Sequence, residues 1–291
     1  MDKIDKRYRL LYIKDDGLPT ERTATVELPF TLEVEITRNN FGSSNIGQLR
    51  LYNISKDRRN FMRKDWNTFD IKDRVILSAG YGDNLVTILD MSVSKAYSMR
   101  NGVDFITQIE CLDGGYAYLN AKVEDVAPTG TPLRNIIIDN AKKLEPFGVT
   151  LGVVGSFPGE LTRAQPLVGN LVDNLGVLTN NRLFVDNSKF NALGENEAIK
   201  GSKLVINPGT GLLSTPMRQQ TYVEFEMIFE PQISIGRLIQ LESSQGDIDI
   251  SGEYIVTYLS HRGIFSEAVG GTVTTEIGGQ PGAFFEVGEG F

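Results

Sequence analysis

The sequence predicts a mainly β protein with a smaller α/β part: two antiparallel β-domains, each a barrel or a sandwich, flank an α/β insert. Alternating apolar and polar residues, which are typical of half-buried strands, fill both ends of the chain. Apolar residues at helical spacing occur mainly in the middle. Glycine accounts for 30 of the 291 residues, which favours a β-rich fold with many turns.

Residues 1–113 are predicted to form the first β-domain. In 30–36 (FTLEVEI) apolar side chains alternate with polar ones, so one face of a strand would enter a core. Further strands are predicted at 47–54, 74–82, 86–94 and 103–111. The pair Asn101-Gly102 predicts a tight hairpin turn, and Ser55 is expected to cap a short helix.

Residues 114–200 are predicted to form the α/β insert. Thr131 and Pro132 are expected to start a first helix, because a capping residue precedes a proline suited to the first turn. The apolar residues of this helix recur at helical spacing as far as Leu144. A second helix is predicted at 167–179, where apolar residues again share one side.

Residues 201–280 are predicted to form the second β-domain, since the alternating pattern returns there. Residues 281–291 are predicted to be a C-terminal tail. Apolar residues in a glycine-rich terminus have little core of their own. We therefore expect Phe284, Phe285 and Phe291 to contact a partner protein.

The order of elements in the first part of the chain recurs in the last part. The corresponding segments are 49–54 (LRLYNI) with 223–228 (VEFEMI), 73–76 (DRVI) with 236–239 (GRLI), and 105–109 (FITQI) with 273–277 (VTTEI). Identities are few, but the order and spacing agree, which indicates two similar β-domains around the insert. The alternative is that any two β-domains share such alternation.

Composition excludes several classes of protein. The 29 basic and 37 acidic residues give a formal net charge of −8, which is unfavourable for tight binding of nucleic acid. No apolar run approaches the roughly 18 residues of a membrane span, and the N-terminus does not resemble a secretory signal. The single cysteine, Cys111, and the single histidine, His261, exclude an intrachain disulfide and most zinc and Ser-His-Asp sites.

No catalytic, cofactor-binding or metal-binding residue is predicted, and no cofactor is expected. Residues 209–214 (GTGLLS) lack the last glycine of a dinucleotide fingerprint and are interpreted as a turn. Residues 247–252 (DIDISG) copy half of a calcium loop, but Tyr258 stands where its glutamate belongs, so a polar hairpin turn is expected.

Four further side chains have structural interpretations. Cys111 is expected to be a small buried apolar residue, and His261 a surface or interface histidine at a strand end. Trp66 and Tyr81 are interpreted as core or interface aromatic residues.

The chain resembles the baseplate hub proteins of contractile-tailed bacteriophages. The segments that carry the resemblance are 47–57 (GQLRLYNISKD), 75–82 (VILSAGYG) followed by 86–89 (VTIL), 207–216 (NPGTGLLSTP), 235–241 (IGRLIQL), 252–256 (GEYIV) and 259–263 (LSHRG). The resemblance extends over most of the chain. The motifs are structural, and the chain has no evident room for an additional spike or lysozyme module.

The resemblance implies two tail-tube-like β-domains in each chain and a homotrimer. Three chains would then present six tube-like domains, which matches a hexameric tail tube on one side and a trimeric central spike on the other. The implied partners are further copies of the chain, the tail tube or tube-initiator protein, the central spike and baseplate wedge proteins. The implied location is the baseplate of the virion tail, assembled in the cytoplasm of the host bacterium.

The charge of the chain fits a conduit through which DNA passes without specific binding, because acidic walls disfavour phosphate contacts. Solubility explains the same charge equally well. The resemblance implies a structural protein without enzymatic activity or a membrane partner. Two alternatives remain open: a peptidoglycan-degrading tail enzyme, and a receptor-binding or sugar-binding tail protein.

Overall fold

A computed structural model describes residues 5–15, 22–40, 45–64, 72–245, 248–268 and 270–288. Three residues singled out in the sequence, Trp66, Asp247 and Phe291, lie outside these ranges.

The first part of the chain is a set of antiparallel strands with one short helix. The elements are β1 (Lys6–Lys14), β2 (Arg22–Glu27), β3 (Leu32–Asn39), β4 (Ile46–Tyr52), α1 (Lys56–Met62), β5 (Arg74–Tyr81), β6 (Asn84–Asn101) and β7 (Asp104–Leu112). The hydroxyl oxygen of Ser55 accepts a hydrogen bond from the amide of Arg58, as expected for the cap of α1. The β6–β7 loop is Gly102-Val103 rather than Asn101-Gly102, because Asn101 pairs with Asp104 and Gly102 adopts a positive φ of 62°.

The middle part contains most of the helix. Its elements are α2 (Gly115–Asn120), β8 (Lys122–Ala127), α3 (Leu133–Lys142), a 3-10 turn (Glu145–Phe147), β9 (Thr150–Val154), β10 (Gln165–Asn170), α4 (Leu171–Thr179), β11 (Leu183–Asp186) and β12 (Lys189–Ala192). They form the antiparallel pair β8–β10 and a small β9–β12–β11 sheet, with α3 packed against α4 and β9.

The two helices of the insert begin differently from the sequence expectation. Pro132 is the N-cap of α3, and the hydroxyl of Thr131 instead donates to the carbonyl of Pro128. The helix expected from residue 167 begins only at Leu171, because residues 165–170 pair with β8 as a strand. The predicted apolar face of α3 is buried, and Leu144 just after it is also buried.

The last part returns to strands. They are β13 (Glu197–Ile206), β14 (Met217–Gln219), β15 (Tyr222–Ile228), β16 (Arg237–Leu241), β17 (Ser244–Gln245), β18 (Ile248–Asp249), β19 (Gly252–Phe265), β20 (Val273–Pro281) and β21 (Phe285–Val287). Residues 278–281 complete β20, and β21 pairs with β13. The segment expected to be a tail therefore contains a short strand.

The two ends of the chain share one strand order. The first path is β3-β4-β7-β6-β5-β1, and the last is β14-β15-β20-β19-β16-β13. Along the chain, β1, β3, β4, β5, β6 and β7 therefore correspond to β13, β14, β15, β16, β19 and β20. The paths differ at their last step, since β1 is antiparallel to β5 whereas β13 is parallel to β16.

Matching irregularities fix the register between the two paths. A β-bulge leaves Ser94 unpaired in β6 and Thr257 unpaired in β19. Aligning the bulges places 105–109 on 273–277, as the sequence predicts, because Ile109 then coincides with Ile277.

The other two sequence correspondences name the right strands in the wrong register. Leu49 lies opposite Ile109, and Phe225 lies opposite Ile277, so Leu49 matches Phe225 rather than Val223. The β5–β16 match is shifted by one residue, because Arg74 lies opposite Ser92 and Leu238 lies opposite Ile255, so Arg74 matches Leu238 rather than Arg237. Strand alternation alone does not distinguish registers that differ by two residues.

The two paths join into one sheet because the C-terminal half of β19 pairs with β3, from Tyr258 opposite Asn39 to Phe265 opposite Leu32. Within the described residues this 14-stranded sheet is open and does not close into a barrel. The core of the first path also includes three residues from the end of the chain, Phe229, Phe265 and Val273. The last part of the chain therefore completes the core of the first part.

Candidate functional site

The described residues contain no group of three or more His, Cys, Asp or Glu side chains placed to hold a metal ion. Among the same residues, no helix has both the length and the apolar character needed to cross a membrane. The glycine-rich segment 209–214 forms the expected turn, in which the amides of residues 210–212 donate to the carbonyl of Asn207.

The segment that resembles half of a calcium loop contains β18, which pairs antiparallel with β17, and strands rather than helices flank it. Its residue Asp249 accepts hydrogen bonds from the hydroxyl and amide of Ser251, which lower the pKa of this carboxyl group. The carboxylate is therefore used within the turn.

The single cysteine and the single histidine are both buried. The Cys111 thiol donates to the carbonyl of Gly47, and burial raises the pKa of this thiol. The sequence interpretation of Cys111 is correct. His261 is not at the surface: it is fully buried where β19 meets β3, Nδ1 lies 3.0 Å from the hydroxyl of Thr275, and its ring contacts Phe229 edge-on.

A buried polar cluster joins the insert to the first part of the chain. The carboxylate of Asp113 accepts hydrogen bonds from the amides of Asn187 and Ser188 at 2.7 and 2.9 Å. Burial and, to a smaller extent, the charge of the neighbouring Asp186 raise the pKa of Asp113 to about 7. The Ser188 hydroxyl in turn donates to the carbonyl of Asp90 in β6.

The same cluster reaches β3 through two buried side chains. Arg38, 1% exposed, forms a 2.8 Å ion pair with Asp186 of β11. Asn45 donates from Nδ2 to the carbonyl of Val185 and accepts from the amide of Asn39. These contacts hold the insert firmly against the joint between β3 and β19.

The solvent side of the joined strands carries an acidic surface, which we call the outer face. It is the side of β15, β20, β19, β3, β4, β7 and β6 opposite to the buried residues of those strands. Its charged residues are Glu33, Glu35, Arg50, Lys95, Glu110, Glu224, Glu226, Arg262 and Glu276. Glutamates outnumber basic residues there, so the outer face repels anions.

Three carboxylates crowd together on the β15–β20 part of the outer face. Glu226 lies directly opposite Glu276 in the strand register, and Glu224 is the next outward residue of β15. Partial burial and the hydrogen bond with Glu224 raise the pKa of Glu276. Like charges placed opposite each other destabilise a sheet, so this arrangement costs the isolated chain some stability.

Several strand edges lie open among the described residues, for example the outer edge of β2, and two of them lie on the duplicated strand paths. No described strand pairs with the outer edge of β14, and no described strand pairs with the C-terminal half of β6 on the side away from β7. Exposed apolar side chains mark both segments: Met217 of β14 is 63% exposed, and Met99 of β6 is 41% exposed. Open edges of this kind accept strands from other chains.

The structure separates the two described phenylalanines predicted to contact a partner. Phe284 is half-buried against the core of the last part and lines a cleft of about 470 Å³ beside the insert. Phe285 is 74% exposed, although its amide donates to the carbonyl of Asn196. Phe285 is thus the more accessible of the two.

Sequence reasoning did not single out Met99, Met217 or the three crowded glutamates. The repeat identifies the two methionines. When the two strand paths are aligned, Met217 is equivalent to Glu35 and Met99 is equivalent to Arg262, the pair at the joint between β3 and β19. That register depends on the two bulges, and neither bulge was predicted from the sequence.

Comparisons with known proteins agree with this architecture. Among curated proteins, no sequence matches the chain. The 43 kDa tail protein of prophage MuSo2 from Shewanella oneidensis is similar in structure, with a TM-score of 0.58 at 10% identity over 94% of this chain and 99% of that one. The tail protein of Neisseria meningitidis MC58 gives 0.59 at 8% identity, over 95% and 98% of the two chains.

A third similar structure is the Escherichia coli c3393 protein, a type VI secretion component described as similar to the T4 tail proteins gp27 and gp5. It gives a TM-score of 0.56 at 8% identity, over 93% of this chain and 76% of that one. At such identities these likenesses establish the fold alone. The sequence itself matches the baseplate hub gp41 family over residues 15–266. This match covers most of the chain and confirms the resemblance found in the sequence, so the chain belongs to the baseplate hub gp41 family.

Proposed function

We propose that this chain is a structural, homotrimeric baseplate hub that connects the hexameric tail tube to the trimeric central spike. The observation that carries the proposal is the duplicated strand path, because each chain offers two similar strand paths joined into one continuous sheet. Three chains would present six such units to the tube while keeping threefold symmetry towards the spike.

The proposed domain division is 1–113, 114–200, 201–280 and a terminal segment 281–291. Strand pairing favours a slightly larger second β-domain than the sequence pattern gives. The strand β13, which begins before residue 201, belongs to the second path, and β21, which follows residue 280, pairs with it.

The outer face is proposed to line part of the conduit through which DNA passes without specific binding. Its excess of glutamate would prevent the release of counterions that drives proteins onto DNA. Crowding of Glu224, Glu226 and Glu276 costs stability in the isolated chain, and a conduit wall gives this arrangement a function.

Reversing these charges tests the conduit. We expect a trimer carrying Glu224→Lys, Glu226→Lys and Glu276→Lys to bind double-stranded DNA in a salt-dependent manner, measured by fluorescence anisotropy, whereas the parent trimer does not. The matched control reverses three exposed glutamates of the insert, Glu124, Glu145 and Glu160. Equal DNA binding by the two triple variants would contradict a special role of the outer face.

Assembly with the tail tube or tube initiator, the spike and wedge proteins would place the chain in the virion baseplate after assembly in the host cytoplasm. Phe285 is proposed as a partner contact, because its ring is exposed on a short strand held against β13. The Phe284 ring, which packs on the core, would support that strand. Phe291 is proposed for the same contact from its position in the terminal segment.

Native mass spectrometry tests the proposed trimer. We expect trimers of the full chain, either alone or after mixing with the spike or tube protein of the same phage. Monomers in all three samples would contradict the proposal. Enzymatic activity is not part of the proposed function, so turnover of purified cell-wall fragments would favour a peptidoglycan-degrading enzyme instead.

A further inference from the structure

The duplication implies a second strand pairing, equivalent to that of β3 with β19, which the isolated chain does not form. Within the chain, β3 pairs with the C-terminal half of β19. The corresponding elements in the other path are β14 for β3 and β6 for β19. Both the outer edge of β14 and the C-terminal half of β6 lie open among the described residues.

The open edge of β6 has hydrogen-bonding groups in the required direction. The amide and carbonyl of Ala96 bond to the backbone of Lys64 on this side of the strand. Because backbone groups alternate between the two edges, those of Ser98 and Arg100 point to the same side. Residue 98 is therefore available to a strand placed beyond Lys64.

The open edge of β14 is short and well defined. A two-residue loop pairs Gln219 with Tyr222, so the backbone groups of Met217 and Gln219 point to β15 and those of Arg218 point outward. Pro216, immediately before the strand, has no amide hydrogen and ends the edge there.

The register of this second joint follows from the first. Ile36 pairs with His261 at the joint inside the chain. Aligning the two paths by their bulges places Arg218 at the position of Ile36 and Ser98 at the position of His261. The duplication thus predicts that Arg218 pairs with Ser98, the two residues whose backbone groups point outward.

The neighbouring side-chain pair supports this register independently. Inside the chain Glu35 lies opposite Arg262, and their charged groups approach to 3.7 Å. The corresponding residues of the open edges are Met217 and Met99. Both members of this pair are apolar where both members of the pair at the joint are charged, so the two residues of each pair are complementary to each other.

We propose that copies of this chain join head to tail by adding β14 of one copy to the C-terminal half of β6 of the next, with Met217 against Met99. The occupant of each open edge is therefore a second copy of the chain. This inference rests on the trimer proposed above and names the strands that close it. Each chain contributes one β14 and one β6 edge, so a closed ring leaves neither edge exposed.

Disulfide trapping tests the proposed register. Met217 and Met99 occupy a non-hydrogen-bonded pair, whose Cα separation of about 4.5 Å is within the disulfide range. The only native cysteine, Cys111, is buried and gives little background. We expect oxidised Met99→Cys/Met217→Cys protein to run as a covalent trimer in non-reducing gels, in whichever sample native mass spectrometry finds trimers.

Two control variants define the outcomes. Glu35→Cys/Arg262→Cys should form the equivalent disulfide within one chain, and Met99→Cys/Arg218→Cys should not cross-link, because residue 218 faces the other side of the strand. Absence of Met99–Met217 cross-links in a sample that contains trimers would overturn this inference and leave the proposed function standing. Monomers in every sample would overturn both, and ladders beyond three chains would overturn the closed ring.

A charge exchange provides a second readout. Met217→Glu alone should abolish the trimer, since it puts an unpaired carboxylate into an apolar contact. Adding Met99→Arg recreates the Glu35–Arg262 arrangement between chains and should restore the trimer. Failure of the second substitution to restore trimers in a folded protein, with folding checked by circular dichroism, would overturn the pairing of these two residues.

Discussion

At the scale of single residues, buried polar groups connect the parts of the molecule. Asp113 and His261 lie in the same region but titrate in opposite directions from their ordinary values, because burial disfavours the charged form of each. The carboxyl pKa of Asp113 is raised, whereas the imidazole pKa of His261 is lowered. The pKa of each group should therefore return towards its ordinary value if the packing that buries the group is lost.

His261 should remain neutral in the folded chain well below pH 6.5. Burial lowers its pKa, and the charge of nearby Arg38 lowers it further. The resonances of the single imidazole in a pH series of NMR spectra measure this directly. In denaturant the same ring should titrate near 6.5, and a folded-state midpoint near that value would contradict complete burial.

The substitution Asp113→Ala should lower the free energy of unfolding by about 3 kcal/mol, because two buried amides lose their acceptor. In the parent chain, the folded carboxyl pKa of about 7 exceeds the unfolded value of 3.8, so this group makes the fold less stable as pH rises between them. The variant should lack that slope. Urea unfolding at several pH values measures both effects, and an unchanged midpoint at all of them would refute the role of Asp113.

At the scale of elements, local chemistry decides where helices begin, whereas sheet pairing decides which residues face each other. Asn170 is both the last residue of β10 and the N-cap of α4, so the helix begins directly after it. Strands β15 and β20 bring carboxylates into opposition that neither strand contains alone. One prediction follows for each case.

Asn170→Ala should destabilise the chain by about 1–2 kcal/mol. The side chain of Asn170 caps α4 by accepting from the amides of Val172 and Asp173, and it also donates to the carbonyl of Tyr118. Chemical denaturation measures the loss. Asn135→Ala, at an exposed position of α3, is the matched control and should change stability by less than about 0.5 kcal/mol.

Glu276→Gln should increase the stability of the monomer at pH 7 by about 0.5 kcal/mol, because it removes one charge from a like-charged cluster. The pKa of Glu276 is raised, so its unfavourable effect grows as pH rises from below the unfolded value of 4.5 and disappears below it. Thermal unfolding at pH 4 and 7 tests this. Glu35→Gln, opposite Arg262, should show no such gain, and an equal gain there would contradict the explanation.

At the scale of the whole molecule, the two ends of the chain are packed into one structure. Phe229 belongs to the last part but lies in the core of the first, where its ring packs against Tyr81, and its carbonyl accepts from the Tyr81 hydroxyl. With the continuous β3–β19 pairing, this contact should make unfolding of the ends a single event.

Phe229→Ala should lower the free energy of unfolding by about 4 kcal/mol, as large buried aromatic residues do. Hydrogen exchange should show β5 and β20 losing protection together, because the cavity lies between them. Phe285→Ala removes an exposed phenylalanine and should leave the monomer unchanged. Loss of protection in β20 alone would indicate that the ends unfold separately.

The sequence alone determines the mainly β class, the helical middle part, the correspondence of strands between the two ends and the membership of the baseplate hub family. These properties depend on local alternation, helical spacing, and the order of elements, all of which are written along the chain. The cap at Ser55 and the buried Cys111 follow from the same local rules.

Only the tertiary structure decides the register of the repeat, the burial of His261 and the open edges at Met99 and Met217. A shift of two residues keeps every side chain on its face, so periodicity cannot detect it. His261 is buried because β3, more than 200 residues away in sequence, pairs with its strand. Such contacts depend on which strands meet, and this is fixed by packing of the whole chain.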